Sequence, residues 1–223
     1  IQELGVMATS SNVAAALSSD VVVLAVKPQH LDDVMAELSG QLCATHLVMS
    51  IIAGKRVSTL VNGLQHNAIV RVMPNTPAQI GQGMSVWTAT GAVDTAQRET
   101  VRRILTAMGD EVYTTDESDL DKATAISGSG PAYFFLFMEA MVEAAVKIGL
   151  SVETARQLVF QTAIGSTEYA RQSEHDLAEL RCMVTSPGGT TAEALKVLES
   201  RQFRNIIETA VTAAHARAVE LGS

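Results

Sequence analysis

An α/β half followed by an all-helical half is the fold class that this 223-residue sequence predicts, and three observations predict it. Short apolar runs alternate with amphipathic segments as far as about Asp116, the pattern of a parallel sheet flanked by helices. Beyond that point every segment has helical spacing. The composition also supplies a core, since 47% of the residues are hydrophobic, too many for a disordered chain. The length leaves room for one large domain or two modest ones.

Each element follows in order. "DVVVLAVKPQ" (Asp20–Gln29) is a continuous apolar run ended by Lys-Pro, as suits a strand buried on both faces. "HLDDVMAELSGQL" sets Leu31, Val34, Met35 and Leu38 on one helical face. "HLVMSIIAGK" is a second buried strand closing on Ala53-Gly54, and "RVSTLVNGL" a helix. "NAIVRVMPNTP" is a strand running into a two-proline turn, and "MSVWTAT" another strand. "DTAQRETVRRILTAMG" is an amphipathic helix, and "DEVYTT" the last short strand. In a parallel sheet, ligands sit at the carboxyl ends of the strands. Here those ends are Ala25-Val26-Lys27-Pro28, Ile52-Ala53-Gly54 and Met73-Pro74-Asn75-Thr76.

The helical half opens with two long helices, "GPAYFFLFMEAMVEAAVKIGL" and "SVETARQLVFQTAIGSTEYARQ", the second with Ser151 as N-cap. "DLAELRCMV", "TTAEALKVLES" and "FRNIIETAVTAAHARAVEL" complete it. The domain boundary is set between 117 and 118, giving domains 1–117 and 118–223. Residues Tyr133 to Met138 are apolar in almost every direction around their helix axis. Such a helix must be covered on all sides, and burial between two copies of the chain does so most economically. A homodimer is expected.

Several classes are excluded. A net charge of −8 without a basic stripe argues against nucleic acid. Cys43 and Cys182 stand alone, which fits a reducing, cytoplasmic setting and neither a disulfide framework nor a zinc site. The five scattered histidines include no HExxH, so no metal is expected. No segment reads as a membrane span, because the most apolar stretch carries Glu139, Glu143 and Lys147. The opening "IQELGVMATSSN" does not read as a signal peptide, and none is expected.

A dinucleotide-binding domain of the Rossmann type usually carries GxGxxG after its first strand, and this sequence has none. Its strands resemble the later strands of that fold. The expectation is a domain that is N-terminally incomplete as given, with the glycine-rich unit of ~30 residues lying before Ile1. Asn12 then lies near the adenosine end of a cofactor, or is a plain N-cap.

"VTSPGGTTAEAL" (Val184–Leu195) puts a proline and two glycines directly before a helix that opens on Thr190 and Thr191. Unpaired N–H groups and the helix dipole favour an anion at such an end. An ordinary loop with a Ser/Thr cap is the plainer alternative.

Three stretches together, "AVKPQ", "RVMPNTP" and "SGSGPAYFFLFMEAMVEAAVKIGLS" with "VTSPGGTTAEAL", resemble the pyrroline-5-carboxylate reductase family over essentially the whole chain. The resemblance implies reduction of the cyclic imine 1-pyrroline-5-carboxylate to L-proline by NADPH or NADH. It implies a Rossmann domain followed by a helical dimerisation domain, with dimers assembled into larger rings in some members. Carried over, cofactor contacts fall on Asn12, Ala25, Val26, Lys27, Pro28, Ala53 and Gly54. Substrate contacts fall on Glu117, Glu174, Ser186, Gly188, Gly189, Thr190 and Thr191. One departure is Met183, where some relatives have an asparagine that touches the cofactor and Met offers no comparable bond.

The chemistry asks that the substrate carboxylate be held, the ring oriented, and the imine nitrogen helped to a proton. The Ser186–Thr191 backbone suits the first task. Thr191 is the candidate catalytic residue, for orientation and proton relay rather than strong acid work. Ser127 and Ser129 either touch the substrate or flank glycines that ease a helix break before Pro131. Lys27 either meets a cofactor phosphate or flanks a strand end. Asn75 reads as a turn residue. Glu117 and Glu174 either accept the ring N–H or are solvated helix-end carboxylates. Two alternatives stand beside this reading: a β-hydroxyacid dehydrogenase, and a non-catalytic dimeric binding module lacking the cofactor loop.

Overall fold

The computed structural model describes residues 5–222. Five strands, β1 (Val21–Leu24), β2 (Leu47–Ser50), β3 (Ile69–Met73), β4 (Gly83–Ala89) and β5 (Gly109–Tyr113), form one sheet in sequential order. The helices before residue 117 are α1 (Asn12–Leu17), α2 (Leu31–Leu38), α3 (Val57–Leu64) and α4 (Thr95–Thr106). Strand alternation divides the core in two. Val48 and Ile69 face one way, packing with Leu31, Leu38, Leu60 and Leu64 of α2 and α3. Leu47, Met49, Val70 and Val72 face the other, packing with Trp87 and with Val101 and Leu105 of α4. The predicted stripe Leu31, Val34, Met35, Leu38 is buried in full.

The sheet departs from expectation in two ways. β1, β2 and β3 are parallel, but β4 runs antiparallel to β3, and β5 follows β4. The cause is the connection Pro74–Gln82, closed by a 3-10 turn at Thr76–Ile80. It is too short for the crossover that a parallel neighbour needs. Among the described residues β1, expected to be buried on both faces, pairs with β2 alone, and its Val23 is 47% exposed. Because β1–β3 remain parallel, their three carboxyl ends still share one edge of the sheet.

α5 (Ser118–Ala123) ends well before Pro131. The α-helical pattern is interrupted by a π-turn at Thr124–Gly128 and a bend at Ser129 before α6 (Gly130–Lys147), so the expected break takes this form. π-turns inside helices recur at functional sites. Then come α7 (Val152–Gln172), capped by Ser151, whose hydroxyl accepts from the Thr154 N–H at 3.1 Å, α8 (Leu177–Met183), α9 (Thr190–Ser200) and α10 (Phe203–Leu221). No helix among the described residues is long and apolar enough to cross a membrane.

By compactness the chain forms two units, one of residues 1–131 with 212–223, the other of residues 132–211. The expected boundary at 117/118 lies at the start of α5, ahead of the division between these units at 131/132. In the second unit Phe134, Phe135 and Leu136 are 67%, 60% and 66% exposed, so the apolar face of α6 is open rather than buried within the unit.

The end of α10 belongs to the first unit and packs on the loop after β2. Gly54 has φ +71°, and a Cβ there would lie 2.7 Å from the Leu221 carbonyl oxygen. Both the left-handed backbone and the close approach call for glycine. Gly54→Ala is expected to destabilise the protein by about 2 kcal/mol or more, read from the urea midpoint at unchanged m-value.

Candidate active site

In the first unit the candidate cofactor residues gather at the carboxyl ends of β1 and β2. Leu24 pairs with Ser50, so Ala25 and Ile51 leave the sheet side by side. Ala25, Lys27 and Pro28 are exposed and Val26 is half-buried; Pro28 starts a 3-10 turn after Lys27. Ala53 and Gly54 form the turn after β2. Asn12 is not an N-cap: Ser11 caps α1 by accepting from the Ala14 N–H at 3.1 Å. Asn12 instead donates from Nδ2 to Glu37 at 2.8 Å, and it lines a groove of about 310 Å³ running along β1 to Val26. Small side chains and exposed backbone at two adjacent strand ends, with the Lys27 ammonium among them, fit an extended anionic dinucleotide. The glycine-rich phosphate loop is not among the described residues.

Sequence reasoning missed an ionic cluster in the same unit. Arg71 on β3 is 3% exposed, with its Nη1 2.9 Å from Glu117 and its Nη2 3.0 Å from Asp121, itself buried. Glu117 also accepts the Val57 N–H at 2.7 Å, satisfying an orphan donor at the start of α3. Arg56 completes the set, 3.6 Å from Asp121 and donating from Nε to the Gly222 carbonyl at 3.0 Å. Glu117 is thus neither a solvated helix-end carboxylate nor idle. The sequence signal was a single charge inside the apolar run "IVRVM".

Asn75 does more than turn the chain. Its Oδ1 accepts the Met84 N–H at 2.8 Å and its Nδ2 donates to Ser127 Oγ at 3.2 Å, tying the end of β3 to the π-turn. Nearby, at the entry to α5, the Lys122 ammonium and the Thr114 hydroxyl hold the Asp119 carboxyl below its ordinary range. Asp116 is lowered chiefly by the Ser118 N–H, then by its hydroxyl.

In the second unit, Ser186–Gly189 is a tight turn. Gly189 N donates to Ser186 O at 3.0 Å, with Pro187 preset for the second position and Gly188 at φ +68° in the third. The helix is not capped by Ser or Thr as the plainer reading had it. Gly189 is the N-cap and no side chain caps α9, so the N–H groups of its first turn keep no side-chain partner. A Cβ at Gly189 would meet Ser186 Oγ at 2.5 Å. Thr191 is half-buried at the second helical position, and Thr190 is exposed. Glu174 is exposed in the turn between α7 and α8, and Met183 is 60% exposed at the end of α8. Among the described residues no cluster of His, Cys, Asp and Glu could hold a metal ion.

The comparisons bear on both halves. Residues 117–221 match the family described as pyrroline-5-carboxylate reductase dimerisation, and residues 1–54 match that described as NADP oxidoreductase, coenzyme F420-dependent. Together they define an NAD(P)H-dependent oxidoreductase with a C-terminal dimerisation domain. The chain is 44% identical over 220 residues to the pyrroline-5-carboxylate reductase of Pseudomonas aeruginosa, covering 98% of this chain and 81% of that protein. Two solved structures are similar to it. Plasmodium falciparum pyrroline carboxylate reductase with NADP bound has TM-score 0.91 at 37% identity, covering 96% of this chain and 82% of that one. A pyrroline-5-carboxylate reductase from Coxiella burnetii has TM-score 0.89 at 41% identity, covering 100% and 83%. This chain belongs to the pyrroline-5-carboxylate reductase family. Membership sets aside both the β-hydroxyacid dehydrogenase and the binding-module alternatives.

Proposed function

We propose that this protein reduces 1-pyrroline-5-carboxylate to L-proline with NADPH or NADH, and that residues 1–117 bind the dinucleotide while 118–223 bind substrate and dimerise. The observation that carries the site assignment is the uncapped, glycine-led start of α9. The cofactor, when bound, supplies the hydride that reaches the imine carbon. The chain's own residues do the rest. The Ser186–Thr191 backbone, with Gly188 and Gly189 allowing close approach, holds the substrate carboxylate at the positive end of the helix. The Thr191 hydroxyl hydrogen-bonds the ring nitrogen and relays its proton, so the C=N bond becomes C–H and N–H with charge balanced. Glu117 and Glu174 stand as further substrate contacts, although Glu117 Oε1 is already engaged by Arg71 and Val57. Ala25 to Pro28, Ala53, Gly54 and Asn12 meet the cofactor.

The exposed apolar face of α6 supports a homodimer, and the lone cysteines support a cytoplasmic location. Rings of dimers, implied for some family members, are read from solution mass.

Absorbance of NADPH and NADH, followed with pyrroline-5-carboxylate and full-length protein, tests the reading. Turnover supports it, and folded protein that oxidises neither cofactor overturns it. Gly188→Ala tests the cradle separately. Its strained backbone, worth about 1–2 kcal/mol, is expected to raise the KM for the imine about tenfold while NADPH affinity stays unchanged.

A further inference from the structure

We infer that the last turn of α10 is a positioning latch for the Ala53–Gly54 loop, with Arg56 as its bolt; this rests on the reading of that loop as part of the cofactor site. The segment from Ile51 to Arg56 has no regular structure of its own, yet it is held at several points. Behind Gly54 stands the Leu221 carbonyl, close enough to exclude any side chain. Arg56 Nε donates to the Gly222 carbonyl at 3.0 Å, and its guanidinium lies 3.6 Å from Asp121. This charge-assisted bond joins the residue after Leu221, the last of α10, to the start of α3. Asp121 is in turn fixed by Arg71 at 3.0 Å, so the bolt is seated on a buried group rather than on a mobile surface carboxylate. Val57, the next residue, is pinned by Glu117. The loop therefore takes its shape from the C-terminal helix, and Arg56 acts on the cofactor through Ala53 and Gly54.

Equilibrium binding of NADPH to full-length protein, read by nicotinamide fluorescence, tests this in five variants: Ala53→Asp, Arg56→Lys, Arg56→Gln, a stop after Glu220, and the last two combined. Arg56→Gln leaves the Arg71–Asp121 pair in place, and dimer mass checks that assembly persists. The latch predicts that Arg56→Gln and the stop each weaken NADPH about tenfold, the size of one lost charge-assisted hydrogen bond. The combination is expected to be no weaker than either alone, because both remove one device. The KM for the imine and kcat at saturating NADPH stay as in the wild type, and Arg56→Lys restores part of the affinity. Unchanged affinity in Ala53→Asp would defeat the cofactor reading of the loop. A weakened Ala53→Asp beside latch variants that bind as wild type defeats the latch alone, as do losses that simply add in the combined variant.

Discussion

Thr191→Val is expected to lower kcat/KM for the cyclic imine by about 100-fold, within the range for a positioned proton-transfer group. Valine keeps the shape and β-branching of threonine at this helical position, so the change isolates the hydroxyl. Thr191→Ser should recover most of the rate. NADPH affinity, measured without substrate, should not move, since the cradle and the strand-end residues are separate stretches of chain. Activity within threefold of wild type in the valine variant would remove Thr191 from the mechanism and leave the backbone N–H groups as the whole of the cradle.

Arg71→Met is expected to cost about 3–5 kcal/mol in urea unfolding, a large share of the stability of an ordinary domain. The side chain removed is buried, and so is its partner Asp121, which would be left as a charge with Arg56 alone at 3.6 Å. Glu117 would lose the Arg71 guanidinium at 2.9 Å while keeping the Val57 N–H. Replacing both members, Arg71→Met with Asp121→Leu, should recover much of the loss, because the penalty lies in the unpaired buried charge rather than in the missing attraction. If the double variant is no more stable than the single one, the cost lies in packing and not in electrostatics.

Much of this was legible in the residues. The spacing of Leu31, Val34, Met35 and Leu38 fixes a helix face because helical periodicity is local, and all four are buried. The proline and glycines of Ser186–Gly189 specify their turn through their own backbone preferences. What escaped depended on distant partners. Strand direction after "RVMPNTP" is set by how far a short connection can carry the chain, and the two prolines hinted at a turn without revealing the antiparallel return. Arg71 looked like an interruption of an apolar strand because Asp121 and Glu117 lie 50 and 46 residues away. Asn75 was assigned by its propensity for turns, whereas both ends of its amide are committed to tertiary bonds. The π-turn was hidden for a related reason: glycine and serine announce an interrupted helix, and only the fold shows that the interruption takes the form of a π-turn.

The sequential order of the sheet has a consequence for how the first unit forms. Among the described residues every strand pairs with its neighbour in the chain, so each pairing closes over a single connection and its entropy cost is modest. Such local pairing favours rapid assembly of the sheet. The bond from Arg56 to Gly222 spans 166 residues and is of the opposite kind. During synthesis the strands are complete long before α10 emerges, and the loop after β2 acquires its final fastening only with the end of the helical half.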